Sequence, residues 1–156
     1  HDAIEPIVFA VSDLSTQLKI GIATDLGRPT AQIRLALKDS DFLILESNYD
    51  EQLLRNSRYP AKVQQRIASS HGHLSNRAAA QLACELLHPQ LLGILLAHIS
   101  QNCNSYELAL STMAEAIRPK GFKGFLGIIP QDDTTPFLDL EKLRIECSDL
   151  GQFNLF

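Results

Sequence analysis

The apolar positions of this chain fall into short runs, and the spacing within each run separates strands from helices. Pro6-Ile7-Val8-Phe9-Ala10-Val11 and Leu18 to Thr24 are rich in β-branched or aromatic residues and are of strand length, joined by the polar turn Ser12-Asp13-Leu14-Ser15. Phe42 to Leu45, Leu91 to Ala97 and Phe122 to Ile129 predict three more strands. Between them the period lengthens. Thr30 is a candidate N-cap for a helix through Leu37, Asp50 to Arg55 makes a short helix, and Pro60 opens another reaching about Ser69. Ser75 or Asn76 caps a helix rich in alanine and leucine, and a further helix spans about Ser105 to Ile117. Beyond Pro130 the pattern weakens; the alternation in Leu143-Arg144-Ile145-Glu146-Cys147 predicts an edge strand. The succession of strands and helices predicts an α/β fold.

Three of the apolar runs stop on a residue that can bind a metal or move a proton. Ile20 to Thr24 runs into Asp25, Phe42 to Leu45 into Glu46, and Leu91 to Ala97 into His98. A buried strand that ends on a polar side chain delivers it to one edge of the sheet, and ligands of α/β folds gather at the carboxyl edge.

Composition narrows the picture only a little. The 156 residues are 45% hydrophobic, enough for one packed domain, and the net charge of −4 names no partner. The distribution of charge is more informative. Residues 52 to 84 carry Arg55, Arg58, Lys62, Arg66 and Arg77 with no acid, which is either a solvated helix face or a surface for an anionic substrate. Cys84, Cys103 and Cys147 are odd in number and form no C-x-x-C pair, a usage suited to a reducing, cytoplasmic setting. No apolar run reaches the roughly 18 residues of a membrane span, so no membrane partner is expected.

Each candidate has a structural reading beside the chemical one. Asp25 is either a turn aspartate bonding nearby amides or a carboxylate facing a metal, and His98 either a core histidine or a ligand. His88, before Pro89, reads as a helix C-terminal cap, and His71 as a solvent-facing neighbour of His73. Gly72-His73-Leu74-Ser75-Asn76 is more specific: a histidine lies just upstream of a helix N-terminus, where a phosphate is favoured. A carboxylate such as Glu46 could hold that ring and keep it charged for proton donation. Serine-nucleophile chemistry lacks support, because no G-x-S-x-G elbow is present.

Taken together, His1-Asp2-Ala3, Thr24-Asp25-Leu26-Gly27, Leu45-Glu46-Ser47-Asn48-Tyr49-Asp50, Tyr59-Pro60, Arg66-Ile67, Gly72-His73-Leu74-Ser75-Asn76 and Ala97-His98-Ile99-Ser100 follow in the order seen in metallo-β-lactamase-fold hydrolases. The chain resembles the C-terminal part of that fold, in its YycJ/WalJ-type branch, related to ribonuclease Z-type phosphodiesterases. The resemblance implies the second half of a four-layer αββα sandwich. It also implies two divalent metal ions (Zn, Mn or Fe), with His1, Asp25 and His98 as ligands. Glu46 and His73 become the pair that protonates the leaving group, while Ser75, Asn76, Lys62 and Arg66 meet the substrate. The family's H-x-H-x-D-H motif is absent, so residues 1–156 are expected to be the C-terminal part of a single domain whose N-terminal half is missing.

The leading expectation is therefore a dinuclear-metal phosphodiesterase or exonuclease acting on DNA and needing the missing half. Alternatives are a small-molecule or cyclic phosphodiesterase of the same fold, and a non-catalytic remnant or interaction module. Metal identity, substrate polarity and oligomeric state stay open.

Overall fold

A computed structural model describes residues 7–152, with side chains described as far as Cys147. Five strands form one sheet in the order β1-β2-β3-β4-β5: β1 (Val8–Ser12), β2 (Lys19–Ala23), β3 (Phe42–Glu46), β4 (Gly93–Ala97) and β5 (Phe125–Ile128). β1 pairs antiparallel with β2 through the loop of residues 13–18, and the other neighbours are parallel. Parallel neighbours need crossovers, and helices supply them. α1 (Ala31–Leu37) joins β2 to β3, and α5 (Tyr106–Ile117) joins β4 to β5. Three helices lie between β3 and β4: α2 (Glu51–Arg55), α3 (Ala61–Ile67) and α4 (Asn76–Leu86).

Residue alternation divides the sheet into two unlike faces. Leu43 and Leu45 of β3, with Ile94 and Leu96 of β4, pack against Ile33 and Leu37 of α1, Leu82 and Leu86 of α4, and Met113 and Ile117 of α5. Phe42 and Leu95 point the other way and join a second cluster with Ile20, Ile44 and Phe125. β3 and β4 are therefore covered on both sides, which explains their continuous apolar runs.

The second cluster is closed by α6 (Leu140–Gln152), where an edge strand was expected over Leu143 to Cys147. The correction has a simple cause. Leu140, Leu143 and Cys147 recur at helical spacing and pack on the sheet, while Ile145, which alternation would have placed inside, is 62% exposed. Among the described residues, Phe9 and Val11 of β1 and Ile7 just before it are exposed. No helix among the described residues is long and apolar enough to cross a membrane.

Hydroxyl and carboxylate caps set the helix starts where the sequence placed them. Thr30 accepts from the Ile33 amide, Asp50 from those of Gln52 and Leu53, Ser75 from Ala78, and Ser105 from Leu108. His88 behaves differently. Its Nε2 meets the Ser40 carbonyl at 2.9 Å, so it ties the end of α4 to the loop before β3 and is not a C-cap.

Candidate metal centre

β2, β3 and β4 run parallel, so their carboxyl ends share one edge of the sheet. Glu46 is the last residue of β3, His98 immediately follows β4, and Asp25 lies two residues beyond β2. Both Asp25 and His98 adopt left-handed backbone conformations, with φ of 56° and 54°. That geometry costs an L-residue about 1–2 kcal/mol. It turns both side chains back over the end of the intervening strand β3.

Glu46 sits at the base of this edge and is fully buried. Its Oε1 accepts from His73 Nδ1 at 2.6 Å and from His98 Nδ1 at 2.9 Å. Its Oε2 accepts from the Leu26 amide at 2.8 Å and the Leu74 amide at 3.4 Å. Burial by itself pushes the Glu46 carboxyl up, but the bonds from His73, His98 and Leu26 outweigh it and hold the carboxyl below its ordinary value. The bond to Glu46 raises His98 above the usual imidazole value, against the opposing effect of burial.

Asp25 completes the group. Its Oδ1 lies 3.5 Å from His98 Nδ1 and 3.7 Å from His73 Nδ1, and the two imidazole rings meet edge to face with centroids 5.0 Å apart. Ligand atoms of Asp25, Glu46, His73 and His98 all lie within 4.8 Å of one another. Access is graded: the side chains of Asp25 and His98 are 38% and 39% exposed, that of His73 16%, and that of Glu46 not at all. Carboxylate and imidazole donors suit a divalent cation. A carboxylate accepts only, so each ring holds its proton on Nδ1, and the lone pair of the neutral imidazole then lies on Nε2. A buried carboxylate bonded to Nδ1–H of an imidazole fixes its orientation and leaves Nε2 for a metal or for proton transfer.

The loops that carry these residues are zipped together by backbone bonds. Asn48 N donates to the Leu74 carbonyl and Asn76 N to that of Tyr49, joining the loop after β3 to the His73 loop. Asn48 Nδ2 donates to the His98 carbonyl at 2.8 Å, bracing the strained turn after β4. Two glycines allow the close approaches. A Cβ on Gly72 would fall on the carbonyl oxygens of Arg66 and Ile67, and one on Gly27 would overlap the backbone of Ser69 and Ser70.

The remaining expected site residues divide sharply. Ser75 is buried, caps α4 and donates to Glu51 Oε1 at 3.0 Å. Asn76 is also buried: its Oδ1 accepts from Ser47 Oγ and Asn104 Nδ2, and its Nδ2 donates to Asn104 Oδ1. Both side chains are almost wholly buried and serve the loop framework. Arg66 lines a cleft of about 210 Å³ with Val63, Ile67, Gly72 and His73. Lys62, on the same helix, is exposed and outside that cleft. His71 is exposed beside Ser70, as expected, and His1 lies outside the described residues.

Sequence reasoning paired Glu46 with His73 alone; that the same oxygen also holds His98 had no local signal. It also passed over a second cleft of about 290 Å³ on the Asp25–His98 side, walled in part by Tyr106 and Pro130. A larger cavity of about 510 Å³, lined by His88, Lys120, Lys123 and Cys147 among others, contains none of the four clustered residues.

No protein-family profile matches the chain. Individual proteins do. Exodeoxyribonuclease YycJ of Bacillus anthracis is 33% identical over 122 residues, covering 78% of this chain and 46% of that protein. Exodeoxyribonuclease WalJ of Streptococcus pneumoniae is 30% identical over 117 residues, 75% of this chain and 43% of that protein. The crystal structure of YhfI from Bacillus subtilis, a metallo-β-lactamase-fold protein, superposes with a TM-score of 0.51 at 14% identity. It covers 85% of this chain and 51% of that one. The chain is similar to YycJ over 78% of its length and has the metallo-β-lactamase fold. Ribonuclease Z of Streptococcus pyogenes is similar over a shorter stretch, at 34% identity across 104 residues. The chain spans less than half the length of the YycJ and WalJ relatives it matches.

Proposed function

We propose that the protein is a metal-dependent phosphodiester hydrolase that shortens DNA from an end. The observation that carries this reading is the double use of Glu46 Oε1, which holds His73 and His98 side by side with Asp25 within reach of both. The names of the YycJ and WalJ relatives supply the substrate class.

Each residue of the cluster then has a task. Asp25 and His98, the two most exposed members, would hold divalent cations. Such cations, when bound, neutralise phosphate oxygens and acidify an attacking water. His73 keeps Nδ1–H on Glu46 and delivers a proton from Nε2 to the oxygen leaving phosphorus. Glu46 stabilises the charged ring before that transfer and fixes its direction after it. Arg66, beside His73 in its cleft, meets a phosphate of the strand, and Lys62 adds positive charge farther along the helix.

Two carboxylates and two imidazoles, one carboxylate buried, fall short of a closed two-metal site. We read the chain as the second half of the αββα sandwich, with further ligands supplied by a first half. Matches that cover about half of YycJ and of YhfI, and the exposed Phe9 and Val11 on β1, support this. The test is cleavage of end-labelled DNA by the full-length protein after chelation and metal return. Activity that requires added metal and is lost in Asp25→Ala supports the proposal; metal-independent cleavage, or an active Asp25→Ala, overturns it.

A further inference from the structure

The cleft on the Asp25–His98 side differs in kind from the one beside His73. Ile99, Tyr106, Ile129 and Pro130 give it apolar walls, Thr24, His98 and Gln131 add polar ones, and among the described residues that line it Asp25 is the one acid and there is no Lys or Arg. Tyr106 is the one aromatic side chain lining either cleft apart from the imidazoles, and it stands at the first position of α5, 39% exposed. Its ring is held in place. The Gln131 backbone amide donates to Tyr106 Oη at 3.2 Å, and Gln101 Nε2, in the loop between β4 and α5, donates to Asp132 Oδ2 at 3.1 Å, so the segment after β5 is tied to that loop and to the first residue of α5. The cleft is therefore a largely apolar slot without a Lys or Arg among the described residues that line it, and Asp25 and His98 of the cluster form its inner end.

At about 290 Å³ the slot lies at the lower end of the roughly 300–1,000 Å³ usual for small-molecule sites. It has room for one planar heterocycle. Apolar walls and a fixed phenol ring suit the face of a nucleobase, and base–aromatic stacking is tolerant of which base is presented. The arrangement is also asymmetric: a cationic cleft on one side of the cluster, an aromatic one on the other. A nucleotide whose phosphate lies over Asp25 and His98 places its base in the Tyr106 slot and its neighbouring phosphate toward Arg66.

We propose that Tyr106 forms a base-stacking subsite that takes the single unpaired nucleobase adjoining the scissile phosphate. The inference rests on the phosphodiesterase reading above and adds a requirement to it: the terminal nucleotide must be unpaired and must carry a base.

The experiment compares two labelled single strands in the full-length protein loaded with manganese. They are identical except that one has an abasic tetrahydrofuran residue at the end to be removed. The measured quantity is the ratio of kcat/KM for the base-bearing strand to that for the abasic strand. The expected ratio in the wild type falls in Y106A by roughly 5- to 150-fold, the range that base–aromatic stacking supports, and is retained in Y106F, which keeps the ring and loses only the bond from Gln131. A residue with only a structural part lowers both strands together and leaves the ratio unchanged in Y106A, which overturns the subsite while the nuclease reading stands. A wild-type protein with no preference for the base overturns it equally. No cleavage of either strand removes the phosphodiesterase reading, and the subsite with it.

Discussion

Asp25 and His98 stand on either side of β3 in matching left-handed conformations, with Oδ1 of one 3.5 Å from Nδ1 of the other. Both positions store backbone strain, and the strain is spent on bringing a carboxylate and an imidazole to the open side of a buried glutamate. Gln17 and Asp39 share this conformation in connecting turns; what sets Asp25 and His98 apart is that both flank the end of β3 and converge on Glu46.

Asp25→Asn separates the backbone from the charge. Asparagine tolerates the left-handed region, so the fold should keep its stability to within about 1 kcal/mol in urea unfolding. Metal affinity, measured by competition with a chromogenic chelator, should fall at least tenfold because a neutral amide replaces an anionic ligand. An unchanged affinity would remove Asp25 from the ligand set.

The metal-free protein should have a stability maximum between two titrations. Glu46 is held below its ordinary 4.5, so its contribution is present above that value and is lost as pH falls through the lower folded value. His98 is raised above 6.5, so its contribution is present below 6.5 and fades as pH climbs through the raised value. Urea midpoints in EDTA should decline on both the acid and the alkaline side, and Glu46→Gln should flatten both limbs, because it removes the acid and the partner that raises His98.

Much of this site was legible in the sequence, and the part that was not has a physical reason. Apolar runs ending on Asp25, Glu46 and His98 reveal strand ends because a strand buried on both faces has no other way to be written. The tail was misread because Leu143 and Cys147 fit an alternating pattern as well as a helical one; the packing of Leu140 and the exposure of Ile145 decide between them. Ser75 and Asn76 sit next to His73 in sequence, yet both are buried. Asn76 is drawn inward by Asn104 and Ser47, partners 28 and 29 residues away that no local pattern announces. The left-handed turns and the shared oxygen of Glu46 are likewise products of tertiary contact.

Gly72→Ala should damage the centre without touching a functional group. The added methyl meets the backbone carbonyls at the end of α3, so the His73 loop must move. The expected loss is about 2 kcal/mol or more in urea unfolding, within the range of severe backbone effects, together with reduced activity at saturating metal. Wild-type stability in this variant would mean that the loop has slack the structure does not show.

The residues of this chain alone should form an incomplete centre. Metal analysis of the 156-residue chain after dialysis against zinc should find less than one ion per chain, weakly held, and no turnover of DNA. Two tightly bound ions would show that the cluster around Glu46 is a complete site by itself.

The central claim is that His73, steered by Glu46, protonates the leaving oxygen while Asp25 and His98 hold metal. It is tested most directly by varying the leaving group. In the full-length protein, His73→Ala and Asp25→Ala are compared on DNA, whose alkoxide leaving group needs a proton, and on thymidine p-nitrophenyl phosphate, whose phenolate does not. The account predicts that His73→Ala lowers DNA cleavage by about 10²-fold or more, as general acid catalysis allows, yet leaves most of the p-nitrophenyl ester activity, while Asp25→Ala loses both. Equal effects of His73→Ala on the two substrates, or none on either, would contradict it.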